Sequence, residues 1–155
     1  MISNIHFCAR LDAETRLRHA DPRKVAVVSI TDPGQLTPLH NWTGNIFRVV
    51  FLDVVPNSDP VKPMPPHALT AETADLLVQY LEYLDRNQTV FELVVHCEFG
   101  ASRSAAVALY AEALTGAELH RRYLAFGGNR HVLDVLQQVR PVHPPVSLPE
   151  AHTYD

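Results

Sequence analysis

The densest chemistry in this chain lies in nine consecutive residues, His96-Cys97-Glu98-Phe99-Gly100-Ala101-Ser102-Arg103-Ser104. They separate a β-branched apolar run, Val90 to Val95, from an almost wholly apolar run, Ser104 to Leu114. A strand that feeds a buried helix puts Cys97 at the helix N-terminus, where the dipole and unpaired N–H groups favour an anion. A thiolate is such an anion, so the thiol is expected to titrate well below the ~8.5 of a free cysteine. The backbone N–H groups of Glu98, Phe99, Gly100, Ala101, Ser102 and Arg103 can ring an oxyanion such as phosphate. Gly100 permits the tight turn. Arg103, six residues after the cysteine, can close the ring, its planar guanidinium gripping two oxygens at once. Ser104 can hydrogen-bond the sulfur, and His96 can brace the loop. Because the N–H groups face inward, Glu98 is expected to turn its carboxylate outward. An inert core thiol is the plain alternative for Cys97, and it suits a polar, glycine-bearing loop poorly.

His96-Cys97-x5-Arg103-Ser104, with Gly100-x-Ser102-Arg103-Ser104 and an alanine-rich helix behind it, resembles the signature of the protein-tyrosine and dual-specificity phosphatase superfamily, in a compact bacterial-like form. The resemblance is strong from Val94 to Leu114 and supported by the strand, loop and helix before it. It implies a tyrosine-phosphatase-like fold and hydrolysis of phosphomonoesters, in phosphotyrosine or dual-specificity protein substrates, through a thiophosphate on Cys97. It also implies an aspartic acid from an earlier loop that protonates the leaving oxygen, and no cofactor or metal. Two aspartates qualify. Asp53, in Phe51-Leu52-Asp53-Val54-Val55-Pro56, ends a strand; Asp59 lies in Asn57-Ser58-Asp59-Pro60. Asp53 is favoured, since a strand end supports a side chain more firmly than a loop tip. Asp59 lies nearer the distance from the cysteine that the resemblance implies and resembles the dual-specificity placement, but it also suits an ordinary Asx turn. Arsenate reductases and rhodanese-type sulfur carriers use a similar anion loop with a second thiol, for which Cys8 is the one partner in the sequence. A catalytically dead phosphate-binding module is the other alternative.

The elements that must hold this loop are legible in outline. Ile2 to Phe7 reads as a first strand and Leu11 to His19 as a helix capped by Asp12. Lys24 to Thr31, closed by Asp32-Pro33-Gly34, and Asn45 to Asp53 read as strands. Five of the twelve prolines fall between Val54 and His67, which excludes helix and central strand there. Thr70 is placed to cap a helix whose Leu77, Tyr80, Leu81 and Leu84 share one face. Gly116 is a helix stop. Ala117 to Phe126 and Asn129 to Arg140 read as two further helices; Asn129-Arg130-His131 resembles an Asn-containing segment of bacterial sequences that could border the pocket, but capping by Asn129 is the simpler account and no catalytic role is assigned to it. Strands alternating with helices predict an α/β domain, residues 1–140, with a central, largely parallel sheet flanked by helices. A Pro/His-rich tail, 141–155, is expected to be extended or frayed. In such sheets ligands bind beyond the strands' carboxyl ends, which is where Cys97 falls.

Composition narrows the class. Hydrophobic residues make up 46% of 155, enough for one domain with a real core. The net charge of −4 does not favour nucleic acid. Two cysteines are too few for a disulfide framework. The first residues lack a basic segment followed by an apolar run, and no run approaches the ~20 apolar residues of a membrane span. The expectation is a cytoplasmic protein whose partner is a phosphorylated protein or small phosphomonoester, without nucleic acid or membrane.

Overall fold

The computed structural model describes residues 1–55, 59 and 61–151. Five strands form one sheet: β1 (Ile2–Ala9), β2 (Val25–Thr31), β3 (Asn45–Val50), β4 (Phe91–Cys97) and β5 (Glu118–Leu119). Their spatial order is β3-β2-β4-β1-β5, and every neighbouring pair is parallel. The four α-helices are α1 (Arg10–Arg18), α2 (Ala71–Arg86), α3 (Arg103–Thr115) and α4 (Arg130–Val139). The protein is a single α/β domain.

Pleating divides the core in two. Ala26, Val28 and Ile30 of β2 and Phe91, Leu93, Val95 and Cys97 of β4 face the larger cluster, with α2, α3 and α4. Val25, Val27 and Val94 face the smaller one, with Leu17 of α1, Leu39 and Trp42. The central β2 and β4 are apolar on both faces, as helix-covered parallel strands must be. Among the described residues, no helix is long and apolar enough to cross a membrane.

Most elements lie where their residue patterns place them. Thr70 caps α2, its Oγ1 accepting from the Thr73 N–H at 3.3 Å, and Leu77, Leu81 and Leu84 are fully buried. Gly116 ends α3 with φ 77°. Asn129 caps α4, accepting from the Val132 N–H at 3.1 Å.

Three expectations need correction. Asp12 does not cap α1: the helix starts directly off β1, with Ala9 as its cap and no side-chain cap bond. Strand β3 stops at Val50, three residues before Asp53. The expected helix over Ala117 to Phe126 is instead β5 followed by a short 3₁₀ segment, Arg122–Gly127. There the open edge of β1 wins over local helical spacing, pairing Asn4 with Glu118 and Ile5 with Leu119. The described part of the tail, residues 141–151, has no helix or strand, and Val142 is buried while Val146 and Leu148 pack on the large core. Residues 56–58 and 60 of the proline-rich loop, and 152–155 of the tail, lie outside the described residues.

Candidate active site

Strand β4 ends at Cys97 and α3 begins at Arg103, so the loop between them spans the carboxyl edge of the sheet. Cys97 is 3% exposed. Its Sγ lies 3.1 Å from the Ser104 hydroxyl. The sulfur also accepts from the Gly100 N–H at 3.3 Å and the Ser104 N–H at 3.5 Å. Two backbone N–H groups therefore donate to one sulfur at the N-terminus of α3, and the Ser104 hydroxyl, which accepts from the thiol, can donate to the sulfur once the thiol has lost its proton. The backbone N–H groups of Phe99, Ala101, Ser102 and Arg103 make no hydrogen bond among the described residues. They are spare donors.

Gly100 is required twice over. Its φ is 72°, and a Cβ there would run into the Ala9 nitrogen and the Cys8 carbonyl carbon of β1. The loop is thus seated on the neighbouring strand, and only a residue without a side chain fits. The Glu98 side chain is tied to α1 and to the segment after β2. Its carboxylate accepts from Arg10 Nε at 3.0 Å and Gln35 Nε2 at 2.9 Å. The Arg10 hydrogen bond is the main reason its carboxyl sits below the usual glutamate range.

Arg103 is buried, 4% exposed. Its Nη1 donates to Asp32 Oδ1 at 2.6 Å and to the Phe51 carbonyl at 2.7 Å. One guanidinium thereby ties the ends of β2 and β3 to the start of α3. Its Nε is buried with no hydrogen-bond partner among the described residues. A buried guanidinium N–H left unpaired is costly unless a ligand completes it.

His96 is fully buried on the opposite face of β4 from Cys97, and its Nε2 lies 2.6 Å from Ser29 Oγ of β2. Burial above all lowers its pKa. The bracing expected of His96 is therefore a cross-strand link beneath the loop.

Asp53 stands at the rim. Its Oδ1 accepts from the Ser102 hydroxyl at 2.7 Å and from Asn129 Nδ2 at 2.7 Å. Asp59 forms an Asx-type turn, its Oδ1 accepting from the Val61 N–H at 3.0 Å. Asp53 thereby hydrogen-bonds the loop that bears Cys97.

Cys8 belongs to the other face of the sheet. In the β1–β4 register Ala9 pairs with Cys97 and Cys8 with His96, so alternation points the two sulfurs to opposite sides. Burial pushes the Cys8 thiol up to about 11. Both facts fit an inert core thiol better than a redox partner.

Three residues of the site carry more than their local patterns suggest. Asp32 reads as a turn former, yet it is the ion-pair partner of Arg103. Gln35 joins the two halves, donating to Glu98 and accepting from the Asp32 N–H at 3.0 Å. Asn129 reads as a cap and is also a ligand of Asp53. Position at a strand's carboxyl end is the signal in the sequence for Asp32, and the resemblance of Asn129-Arg130-His131 to an Asn-containing segment of bacterial sequences is the one for Asn129; for Gln35 there is none.

No family model matches the chain, and no curated protein does. Among solved structures it is similar to Tk-PTP in the active form, with 16% identity over 94% of this chain and 81% of that one and a TM-score of 0.45. It is also similar to human DUSP28, with 21% identity, coverage of 91% and 82%, and a TM-score of 0.45. A single-substitution variant of the human protein gives 22% identity, 88% and 77% coverage, and 0.43. The loop itself, not these distant likenesses, carries the signature: His96-Cys97-x5-Arg103-Ser104 has the H-C-x5-R-S order of the protein-tyrosine and dual-specificity phosphatase superfamily.

Proposed function

We propose that this protein is a cysteine-dependent phosphatase that hydrolyses phosphomonoesters, with phosphotyrosine or dual-specificity protein substrates as its class. The observation that carries the reading is the Cys97 sulfur, fixed by Gly100 and Ser104 at the start of α3 inside a loop of spare N–H donors.

In the first step the Cys97 thiolate attacks phosphorus as the bond to the leaving oxygen breaks. The spare N–H groups of Phe99, Ala101, Ser102 and Arg103 and the unpaired Arg103 Nε hold the phosphoryl oxygens, where charge must be stabilised. Asp53 protonates the leaving oxygen, a contribution of ~10²–10⁴-fold for groups that leave poorly. In the second step the Asp53 carboxylate takes a proton from water. That water attacks phosphorus, and the sulfur leaves as a thiolate stabilised by the Ser104 hydroxyl. His96 and Asp32 support the loop without touching substrate. The route needs no redox change and no second thiol.

Turnover of p-nitrophenyl phosphate by the wild type, Cys97→Ser and Asp53→Asn tests this. Cys97→Ser is expected to abolish turnover while still binding vanadate. Undiminished turnover in Cys97→Ser would end the proposal.

A further inference from the structure

Asn129 is spent completely, and on two different jobs. Its Oδ1 accepts from the Val132 N–H at 3.1 Å, capping α4. That backbone donor fixes which way the amide faces, so Nδ2 must point the other way. There it donates to Asp53 Oδ1 at 2.7 Å and to the Val54 carbonyl at 3.2 Å. Its own N–H donates to the Ser102 carbonyl at 3.1 Å. Asn129 is 5% exposed, so the geometry is enclosed. Ser102 completes the arrangement. It sits at the N-cap position of α3 but makes no side-chain cap bond; its hydroxyl goes to Asp53 Oδ1 at 2.7 Å instead.

Both donors therefore fall on the same oxygen of Asp53. An acid whose Oδ1 already accepts two hydrogen bonds carries its proton on Oδ2. We infer that Asn129 and Ser102 are positioning residues that make Oδ1 the fixed acceptor and Oδ2 the proton-donating atom of Asp53. This rests on Asp53 being the general acid. As the bond from phosphorus to the leaving oxygen breaks, the Oδ2 proton passes to that oxygen and its electron pair stays on the carboxylate. Half of the charge so formed lands on Oδ1, where two donors already stand. The same hydrogen bonds fasten the segment bearing Asp53 to the loop bearing Cys97, so acid and nucleophile keep a common frame.

The test is kcat/KM for phenyl phosphate divided by kcat/KM for dinitrophenyl phosphate, measured on one preparation of each variant. Phenolate needs a proton to leave and dinitrophenolate does not. The ratio is independent of the folded fraction, so a merely structural loss cancels. Asn129→Ser keeps a capping oxygen and loses the reach to Asp53; Ser102→Ala removes the second donor. Each is expected to lower the ratio about tenfold, the scale of a charge-assisted hydrogen bond. Asp53→Asn should lower it ~10²-fold or more. Adding Asn129→Ser to Asp53→Asn should lower it no further, because Asn129 acts through Asp53. An unchanged ratio in Asn129→Ser and Ser102→Ala, beside a lowered one in Asp53→Asn, overturns the inference and leaves Asp53 as the acid. A further fall in the double variant also overturns it. An unchanged ratio in Asp53→Asn overturns the assignment of Asp53 itself, and the inference with it.

Discussion

Arg103 and Asp32 form a 2.6 Å ion pair that joins the start of α3 to the end of β2, with the guanidinium 4% exposed and the carboxylate 42% exposed. The pair leaves Arg103 Nε unpartnered and holds the guanidinium by one edge. Asp32→Asn removes the charge and leaves the shape. Arg103 then keeps the Phe51 carbonyl and a neutral amide oxygen in place of the carboxylate, and a displaced clamp can cost up to ~10²-fold. Steady-state kinetics should show the loss in kcat/KM, and vanadate should bind Cys97→Ser/Asp32→Asn more weakly than Cys97→Ser. Wild-type kinetics in Asp32→Asn would show that the ion pair does not position Arg103.

Gly100→Ala should disrupt the loop more than any outward-facing substitution. A left-handed φ of 72° costs a residue with a Cβ ~1–2 kcal/mol. The collision with the β1 backbone adds to that. Thermal unfolding is expected to show a lowered Tm, and turnover should fall because the Gly100 N–H no longer reaches the sulfur. Full activity with unchanged Tm would mean that the loop is not seated on β1 as described.

Stability should fall on acidification, with His96 as one cause. An unfolded histidine takes up its proton near 6.5, while burial lowers the pKa of folded His96. Below 6.5, and down to the folded value, the unfolded state binds more protons, so stability rises with pH through that window and is lost as pH drops. Glu14 opposes the shift, while Arg10 and Arg48 add to it. His6, also lowered chiefly by burial, acts in the same direction. Urea midpoints at several pH values should show a shallower decline in His96→Gln than in wild type. An identical decline would remove His96 from the account.

Cys8→Ser is expected to keep full turnover. Peroxide treatment of the wild type should yield no Cys8–Cys97 disulfide by mass spectrometry, because cysteines whose Cβ vectors point to opposite faces cannot bridge without backbone movement. Finding that disulfide in folded protein would contradict the register.

The sequence by itself determined the α/β class, the three central strands, the helices α2, α3 and α4, and the loop from His96 to Ser104. Each of these rests on local periodicity or on groups that are neighbours in the chain, so the information is contiguous. Only the tertiary structure decided which residues meet that loop. Asp32 and Arg103 are 71 residues apart, and Asp53 and Asn129 are 76 apart; no propensity or spacing encodes such a contact. The β5 edge follows the same logic, because Glu118 and Leu119 take strand form only where β1 offers open hydrogen-bonding groups. Parallel strands bring distant carboxyl ends together at one edge of the sheet, and side chains separated by half the chain acquire a common purpose there.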